Sequence, residues 1–252
     1  MKFIQRLALG LGFLLLVSGS TLPTPDFKAD QMRYSRVRNA YQEKEAGAKA
    51  LLTAQQLDYS NFDLLLRAYK AEKELQVFAK KKSEKTYQLV QTYDFCLLSG
   101  ELGPKRRQGD YQVPEGFYHI DRFNPASNFH LSLGINYPNV SDRILGYKAS
   151  LGGDIFIHGA CVTVGCIPIT NAKIKELYIL AVQAKNAGQK KIPVLIFPNK
   201  MRPAQMEALK KEAPQLMDFW VNLKAGHDLF ESSKQLPAFR VTEKGHYVFT
   251  GS

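Results

Sequence analysis

The sequence predicts an α+β protein, in which a β-rich domain follows an N-terminal helical segment and carries flanking helices. A stretch of helix-favouring residues without proline runs from about Asp30 to Gln56. Short apolar runs separated by glycine, proline and asparagine fill the central part of the chain, which is the pattern of strands and turns. After Cys166 the apolar residues return to a helical spacing, which predicts a helix there.

The first 20 residues have the layout of a secretory signal peptide. Lys2 and Arg6 precede an apolar run from Leu7 to Val17, and the small residues 18–20 follow it. A helix that crosses a bilayer needs about 20 apolar residues, so this run is too short. We therefore expect export to the periplasm or another extracytoplasmic compartment, with membrane contact only through this segment. A short uncleaved membrane anchor is the alternative.

The rest of the chain divides into three predicted parts. Residues 21–70 form an N-terminal helical segment, in which Asn61–Tyr69 is a second helix because its apolar residues recur at three-and-four spacing. Residues 71–202 form the β-rich domain, and residues 203–252 add a helix and a hairpin packed on it. The hairpin that opens the β-rich domain has the charged turn Lys80–Lys85.

Within these parts the patterns predict further elements. Strands are expected in four short apolar runs, Asp94–Leu98, Phe117–Ile120, Phe129–Leu133 and Asp154–Ile157. Beyond Cys166 we expect a helix containing Ile174–Val182, a strand over Lys191–Phe197, a helix over Ala204–Leu223 that is bent near Pro214, and a final hairpin that ends near Phe249.

The composition restricts the class of partner. The formal net charge is +11, but the basic residues are spread from Lys28 to Lys244 without an arginine stripe or a known nucleic-acid motif. Nucleic acid is therefore not an expected partner. For an exported protein, an anionic wall polymer or membrane surface fits the charge better. A solvated basic surface without a specific partner is the alternative.

The cysteines indicate the chemistry. The chain has three, Cys96, Cys161 and Cys166, and an odd count leaves at least one thiol without an intramolecular partner in an oxidising compartment. Cys166 follows Gly165, and His158 lies eight positions earlier. A thiol nucleophile needs a base and backbone N–H groups that face the developing oxyanion, so this stretch predicts acyl-transfer chemistry at Cys166.

Three other interpretations of the cysteines stay open at this point. Cys161 and Cys166 form a disulfide that locks the nucleophile, which would make the site redox-sensitive. Alternatively, His158, Cys161 and Cys166 bind zinc, although the usual Cys-x-x-Cys pair is missing. In a third interpretation His158 and Cys166 only fill the core. Cys96 lies in an apolar run and is expected to be an inert core thiol.

Several of these segments resemble one known family. Gly103–Lys105, Gly109–Asp110 and Pro114–Ile120 resemble the entry motifs of L,D-transpeptidase catalytic domains of the YkuD type. The segment His158–Cys166 resembles their active-site motif, especially in the YafK-like branch, where the His-Gly and Gly-Cys pairs are close together. The resemblance extends over about residues 74–202.

The resemblance implies a β-rich fold and an enzyme that acts on peptidoglycan stem peptides, without a cofactor or metal. It implies that Cys166 is the nucleophile and His158 the base, and that the backbone N–H groups of Gly165 and Cys166 bind the oxyanion. A wall-linked protein is a further candidate partner, and the oligomeric state is not predicted. A catalytically silent peptidoglycan-binding or scaffold protein of the same fold is the alternative.

Other residues are candidates for substrate binding. Thr163 stands where the family has serine or threonine, and Gly159 belongs to the His-Gly pair. His130 is expected to point away from Phe129 and Leu131 and to line the cleft. Arg143 is a candidate for holding a substrate carboxylate.

Two departures from the family pattern concern the same motif. Many relatives carry a second histidine where this chain has Val164, and an arginine where it has Pro168. The absence of that arginine should alter how the acyl donor is held.

Overall fold

The computed structural model describes residues 26–250. The signal peptide predicted for residues 1–20 lies outside this part of the chain. Within it, no helix combines the length and the apolar character that a membrane span requires.

An eight-stranded sheet organises the described residues. In chain order its strands are β1 (Phe62–Tyr69), β2 (Glu74–Lys81), β3 (Gln88–Asp94), β4 (Gly116–Asn124), β5 (Ser132–Ile135), β6 (Phe156–His158), β7 (Ile167–Pro168) and β8 (Pro193–Phe197). Their spatial order is β3-β2-β1-β8-β4-β5-β6-β7. The β1–β8 and β6–β7 pairs are parallel, and the other neighbouring pairs are antiparallel. A separate hairpin consists of β9 (Ala238–Val241) and β10 (Tyr247–Thr250).

Helices cover both faces of the sheet. They are α1 (Phe27–Met32), α2 (Ser35–Thr53), α3 (Val140–Leu145), α4 (Thr170–Asn186), α5 (Pro203–Glu212) and α6 (Met217–Ser233), with a 3₁₀ turn at Pro214–Leu216 between the last two. Buried residues of α2 and α4 belong to one hydrophobic core, the first core, and those of α5 and α6 to another, the second core. Successive residues of β1 alternate between these cores, so Leu64 enters the first and Leu65 the second.

The second core ends before the sheet does. It contains residues from β1, β2, β4 and β8, but the described residues of β5, β6 and β7 contribute none to it. Ile157 in β6 and Ile167 in β7 are fully buried in the first core with residues of α4. The opposite face of this end of the sheet is therefore available for a site.

Most predicted elements are confirmed, and the α+β class is correct. The hairpin β2–β3, the helix α4, the break at Pro214 and the terminal hairpin are where the sequence predicts them. The helix predicted over Asp30–Gln56 is two helices, α1 and α2. The strand predicted over Asp94–Leu98 ends at Asp94, and the one predicted over Phe129–Leu133 begins only at Ser132.

The helix predicted over Asn61–Tyr69 is wrong, because this segment is the strand β1. β1 lies inside the sheet between β2 and β8 and is buried on both faces. A strand of this kind is apolar at nearly every position and loses the alternation that distinguishes a strand from a helix. The three-and-four spacing of its apolar residues is then a coincidence.

A buried ion pair connects the sheet to the segment before β4. The Nζ atom of Lys70 lies 2.8 Å from Oε1 of Glu115, and both side chains are buried. Lys70 also donates to the carbonyl oxygens of Gly103 and Val113, at 2.6 and 3.1 Å. The indole Nε1 of Trp220, in α6, donates to Oε2 of Glu115 at 2.8 Å. This network fixes both ends of the segment 103–115.

We expect Lys70→Met to destabilise the fold by about 3–5 kcal/mol, because it leaves the Glu115 carboxylate buried without its counter-ion. Urea unfolding of the wild type and the variant measures this difference. The control is Lys81→Met, which removes a half-exposed pair with Glu84 and should change the free energy of unfolding by less than about 0.5 kcal/mol. Equal unfolding midpoints for Lys70→Met and the wild type would show that the ion pair does not stabilise the fold.

Candidate active site

The pairing of β6 with β7 places the candidate nucleophile and base on one face of the sheet. Ile157 pairs with Ile167, and His158 pairs with Pro168. The preceding positions of the two segments are Phe156 and Cys166. Since side chains alternate along a strand, Cys166 and His158 lie on the face opposite to the two buried isoleucines. The two candidate residues are therefore expected on the same face of adjacent segments.

The Cys166 thiol makes hydrogen bonds with two backbone groups. Its Sγ accepts a hydrogen bond from the N–H of Phe156 at 3.4 Å and donates to the carbonyl oxygen of Asp154 at 3.7 Å. Burial raises the pKa of this thiol, and the Phe156 N–H and the charge of Lys105 only partly offset the increase. The resting side chain is therefore a neutral thiol at pH 7.

His158 is held as a neutral imidazole. The side chain is buried, and its Nδ1 bonds the carbonyl oxygen of Gly159 at 2.5 Å. Because a carbonyl only accepts, Nδ1 carries the proton and Nε2 keeps its lone pair. Burial lowers the pKa of His158 more than the Gly159 carbonyl raises it. The ring packs against Phe129, with the ring centroids 4.7 Å apart.

Gly159 therefore positions the imidazole through its carbonyl oxygen, and its role in substrate binding stays a prediction. A side chain at this position has no space. A Cβ there would lie 2.5 Å from Oδ1 of Asn171 and 2.8 Å from the carbonyl oxygen of Phe129. The packing beside the imidazole thus requires glycine at position 159.

A disulfide fixes the loop between the histidine and the nucleophile. Cys161 is bonded to Cys96, with 5.6 Å between their Cα atoms, and Cys166 is free. The expectation that Cys96 is an inert thiol is therefore wrong. Two of the alternatives are excluded as well, because Cys161 neither pairs with Cys166 nor is available to bind zinc. Among the described residues no group of three or more histidine, cysteine and acidic side chains is arranged to hold a metal ion.

The disulfide depends on the curvature of the sheet. Cys96 follows β3, which is one edge of the sheet, and its N–H donates to the carbonyl oxygen of Pro168 in β7, the other edge, at 2.9 Å. In a flat sheet with about 4.8 Å between strands, these edges would be about 34 Å apart. The sheet curls until the segment after β3 meets β7, a contact that no local sequence pattern indicates.

The two backbone N–H groups expected to bind the oxyanion already have hydroxyl acceptors. The N–H of Gly165 donates to Oγ of Ser99 at 2.7 Å, and that of Cys166 donates to Oγ1 of Thr163 at 2.9 Å. The Thr163 hydroxyl in turn donates to the Cys166 carbonyl at 2.8 Å. Thr163 thus holds the backbone of the nucleophile, and an oxyanion would have to replace these hydroxyls as acceptor.

The backbone conformation at position 165 requires a glycine. Its φ of +91° is in the left-handed region, and a Cβ there would lie 2.9 Å from the carbonyl oxygen of Gln112. This close approach places the segment that contains Gln112 directly beside the nucleophile.

Two other candidates, His130 and Arg143, are surrounded by different groups. His130 has a φ of +75°, which turns the chain before β5, and the charged side chains that act on its ring are Lys175, Arg36 and Glu43 of α4 and α2. The positive φ interrupts the alternation used to place His130 in the cleft, and Phe129 packs beside His158. The substrate-binding role of His130 stays a prediction. Arg143 lines a cavity of about 510 Å³ with residues of β4, α3 and the terminal hairpin, and neither Cys166 nor His158 lines it.

Ser99 and Phe129 are parts of the site for which we predicted no role. Lys105 belongs to a motif that we recognised, but its role was not predicted either. Its Nζ donates to Oδ1 of Asp110 at 2.6 Å. Burial alone would raise the pKa of Asp110, but Lys105 and nearby backbone N–H groups hold it below its usual range. Lys105 and Gly109–Asp110 are recognisable as motifs, and Phe129 belongs to a predicted strand, whereas nothing in the sequence indicates Ser99.

Comparisons with known proteins identify the family of the domain. Residues 65–196 match the family model of the L,D-transpeptidase catalytic domain, YkuD. The protein named "Putative L,D-transpeptidase YafK" of Escherichia coli (strain K12) is 38% identical over 185 residues, which are 73% of this chain and 72% of that protein.

Two solved structures of the helical cell shape determining protein Pgp2 from Campylobacter jejuni are also similar. The K307A mutant aligns with 21% identity over 70% of this chain and 60% of its own, with a TM-score of 0.44. The other structure aligns with 16% identity over 78% of this chain and 80% of its own, with a TM-score of 0.43.

We expect the rate of Cys166 alkylation by iodoacetamide to rise about tenfold per pH unit from pH 6 to 8, because only the thiolate reacts and the pKa of this thiol is raised above its usual value of about 8.5. The lowered pKa of His158 favours the neutral imidazole, so little imidazolium is present above its usual pKa of about 6.5. Mass spectrometry measures the rate, with Cys166→Ala as the unlabelled control. Rapid alkylation that is independent of pH between 5 and 7 would indicate a thiolate–imidazolium pair instead.

We expect removal of the disulfide to destabilise the protein by about 4 kcal/mol, because Cys96 and Cys161 close a loop with a sequence separation of 65. The change is Cys96→Ser with Cys161→Ser, measured by urea unfolding without reductant. The matched control is the wild type with reductant, which should resemble the double variant. If the double variant is as stable as the oxidised wild type, the disulfide does not constrain the fold.

Proposed function

This chain belongs to the L,D-transpeptidase catalytic domain family, and we propose that it is an exported cysteine enzyme that acts on peptidoglycan stem peptides through a thioester at Cys166. The proposal is supported by the register that pairs Ile157 with Ile167, from which side-chain alternation directs Cys166 and His158 to one face. It is also supported by the hydrogen bond between Nδ1 of His158 and the Gly159 carbonyl. This leaves Nε2 as a base toward the nucleophile. The family acts on peptidoglycan, which supplies the substrate class.

The first step is deprotonation of the thiol. The resting Sγ donates to the carbonyl oxygen of Asp154, so the thiol turns about its Cα–Cβ bond toward His158 before it reacts. Nε2 of His158 takes the proton as Sγ attacks the carbonyl carbon that follows the L-centre of the diaminopimelate or lysine residue. Because both groups are neutral at rest, this is general-base catalysis rather than attack by a preformed thiolate.

The tetrahedral intermediate then collapses. Its oxyanion accepts hydrogen bonds from the backbone N–H groups of Gly165 and Cys166. It replaces the hydroxyl oxygens of Ser99 and Thr163, which accept these bonds at rest. The imidazolium of His158 gives its proton to the leaving amine, the C–N bond breaks and a thioester remains on Cys166. Water then releases an acid, or an acceptor amine forms a new amide.

The disulfide supports the proposed location. Disulfides persist in oxidising compartments such as the periplasm, and the bond between Cys96 and Cys161 is part of the folded site. The apolar run Leu7–Val17 at the start of the chain is typical of a secretory signal. Peptidoglycan lies outside the cytoplasmic membrane, so substrate, signal and disulfide favour the same compartment.

We expect Cys166→Ala to abolish the conversion of defined muropeptides, because it removes the attacking atom. His158→Ala should lower the rate about 10²- to 10⁴-fold, the usual contribution of a general base. The matched control is His246→Ala, a partly exposed histidine near Asp218 that should leave the rate unchanged. Liquid chromatography with mass spectrometry follows the products, with and without an acceptor peptide or a wall-linked protein.

The products separate the possible outcomes. A trimmed peptide indicates hydrolysis, a cross-linked dimer indicates transpeptidation, and a freed protein indicates release from the wall. Unchanged products from Cys166→Ala would end the assignment of the nucleophile. A wild type that binds muropeptides, converts none of them and resists acylation of Cys166 by a carbapenem would be the catalytically silent protein of this fold.

A further inference from the structure

A cavity between the sheet, α3 and the terminal hairpin has a lining of its own, to which neither Cys166 nor His158 contributes. Its volume of about 510 Å³ is typical of small-molecule sites, which have about 300–1,000 Å³. The walls are mostly apolar and aromatic and include Phe117, Tyr118, Tyr137, Leu195, Phe239 and Tyr247. The mechanism proposed for Cys166 makes no use of this space.

The tyrosine hydroxyls of these walls have partners within the protein. Tyr118 donates to Oδ2 of Asp142 at 2.9 Å, and Tyr137 donates to a backbone carbonyl oxygen at 3.2 Å. The hydroxyl of Tyr247 accepts from Nδ2 of Asn139 at 2.9 Å. What the three side chains offer to a ligand is therefore the apolar surface of their rings.

The apolar lining continues to the protein surface. Val140, Leu236 and Phe239 all line the cavity, and they are exposed by 58%, 39% and 38%. The ring of Phe239 also packs on that of Phe117, with the ring centroids 5.2 Å apart. Exposed apolar side chains that gather at one concave site mark a binding surface. A hydrocarbon that enters this cavity would cover them.

Two cations lie among these apolar groups. Arg143 in α3 and Lys191, which precedes β8, are exposed and line the cavity, and within residues 26–250 neither has a carboxylate within 4.0 Å. The acidic residue of the lining, Asp121, pairs with Arg122 at 3.2 Å. His119 is neutral at pH 7, because burial and the charge of Lys191 lower its pKa. The two cations are thus available to an anion.

This combination is complementary to a hydrocarbon chain that ends in a carboxylate. Aromatic walls favour burial of the chain, and a guanidinium binds a carboxylate through two parallel hydrogen bonds. A small inorganic anion would gain nothing from the walls, and a neutral hydrocarbon would gain nothing from the cations. Lipids in a bilayer keep their chains in the membrane, so a concave site suits a molecule that is free in solution.

We propose that this cavity is a binding site for a free fatty acid, whose chain lies against the aromatic walls and whose carboxylate contacts Arg143 and Lys191. The site is separate from Cys166 and does not rest on the proposed function. A membrane surface and a second copy of this chain are the occupants that the test must exclude.

Calorimetry of the protein with saturated carboxylates of six to twelve carbons, each below its micelle concentration, tests the walls. We expect Kd to fall about fourfold per added methylene until the chain fills the cavity, the effect of burying one methylene group. The methyl ester of the ten-carbon acid should bind about tenfold more weakly, because it lacks the charge-assisted contact. Cys166→Ala should bind each carboxylate with the Kd of the wild type.

Variants test the two cations separately. Arg143→Gln and Lys191→Gln should each reduce the preference for acid over ester to less than about threefold and leave the affinity for the ester unchanged. Arg240→Gln and Lys190→Gln are the matched controls, since both residues are exposed and neither lines the cavity. They should keep the tenfold preference. Phe239→Ser should weaken the binding of acid and ester alike. Equal urea midpoints confirm that a variant is folded.

The proposal fails if Kd does not depend on chain length, if the ester binds as tightly as the acid, or if Arg143→Gln and Lys191→Gln both keep the tenfold preference. Binding to phosphatidylglycerol vesicles without binding of free acid would assign the surface to a membrane instead. A dimer in sedimentation that Phe239→Ser dissociates would assign it to a second copy. Muropeptide turnover enters none of these measurements, so failure of the proposed function would leave their outcome unchanged.

Discussion

The parallel pairing of β6 with β7 is the constraint on which the site depends. It aligns Ile157 with Ile167, and both side chains are buried in the core that α4 covers. Because side chains alternate, burial of these two residues directs His158 and Cys166 to the opposite face. A shift of one residue in this register would bury a polar imidazole in the core and expose an isoleucine. The hydrophobic core therefore fixes the geometry of the reacting groups.

A disulfide and a backbone hydrogen bond constrain that geometry further. The disulfide between Cys96 and Cys161 joins the segment after one edge of the curled sheet to the loop that precedes Cys166 at the other edge. The Gly159 carbonyl then fixes the tautomer of His158. Burial disfavours charge on both the thiol and the imidazole. The proposed mechanism therefore starts from a neutral pair and leaves proton transfer to the moment of attack.

Patterns that belong to one segment could be read from the sequence, and contacts between distant segments could not. The hairpin β2–β3, the helix α4 and the motif His158–Cys166 each have a local period or spacing. β1 was mistaken for a helix because burial on both faces removes its alternation. The disulfide partner of Cys96 and the hydrogen bond accepted by Ser99 depend on the curl of the sheet, which no local pattern encodes. Phe129 rather than His130 lies beside His158 because His130 has a positive φ, which the sequence does not indicate either.

The central claim is that one sulfur carries the acyl group. Rapid quenching of the protein with a donor muropeptide, followed by peptide mapping under acidic conditions that preserve thioesters, tests it directly. The peptide that contains Cys166 should gain the mass of the donor less its leaving group, and should lose it when water or an acceptor amine is given time to react. Turnover that proceeds while this peptide stays unmodified, or an adduct on any other residue, would contradict the thioester mechanism.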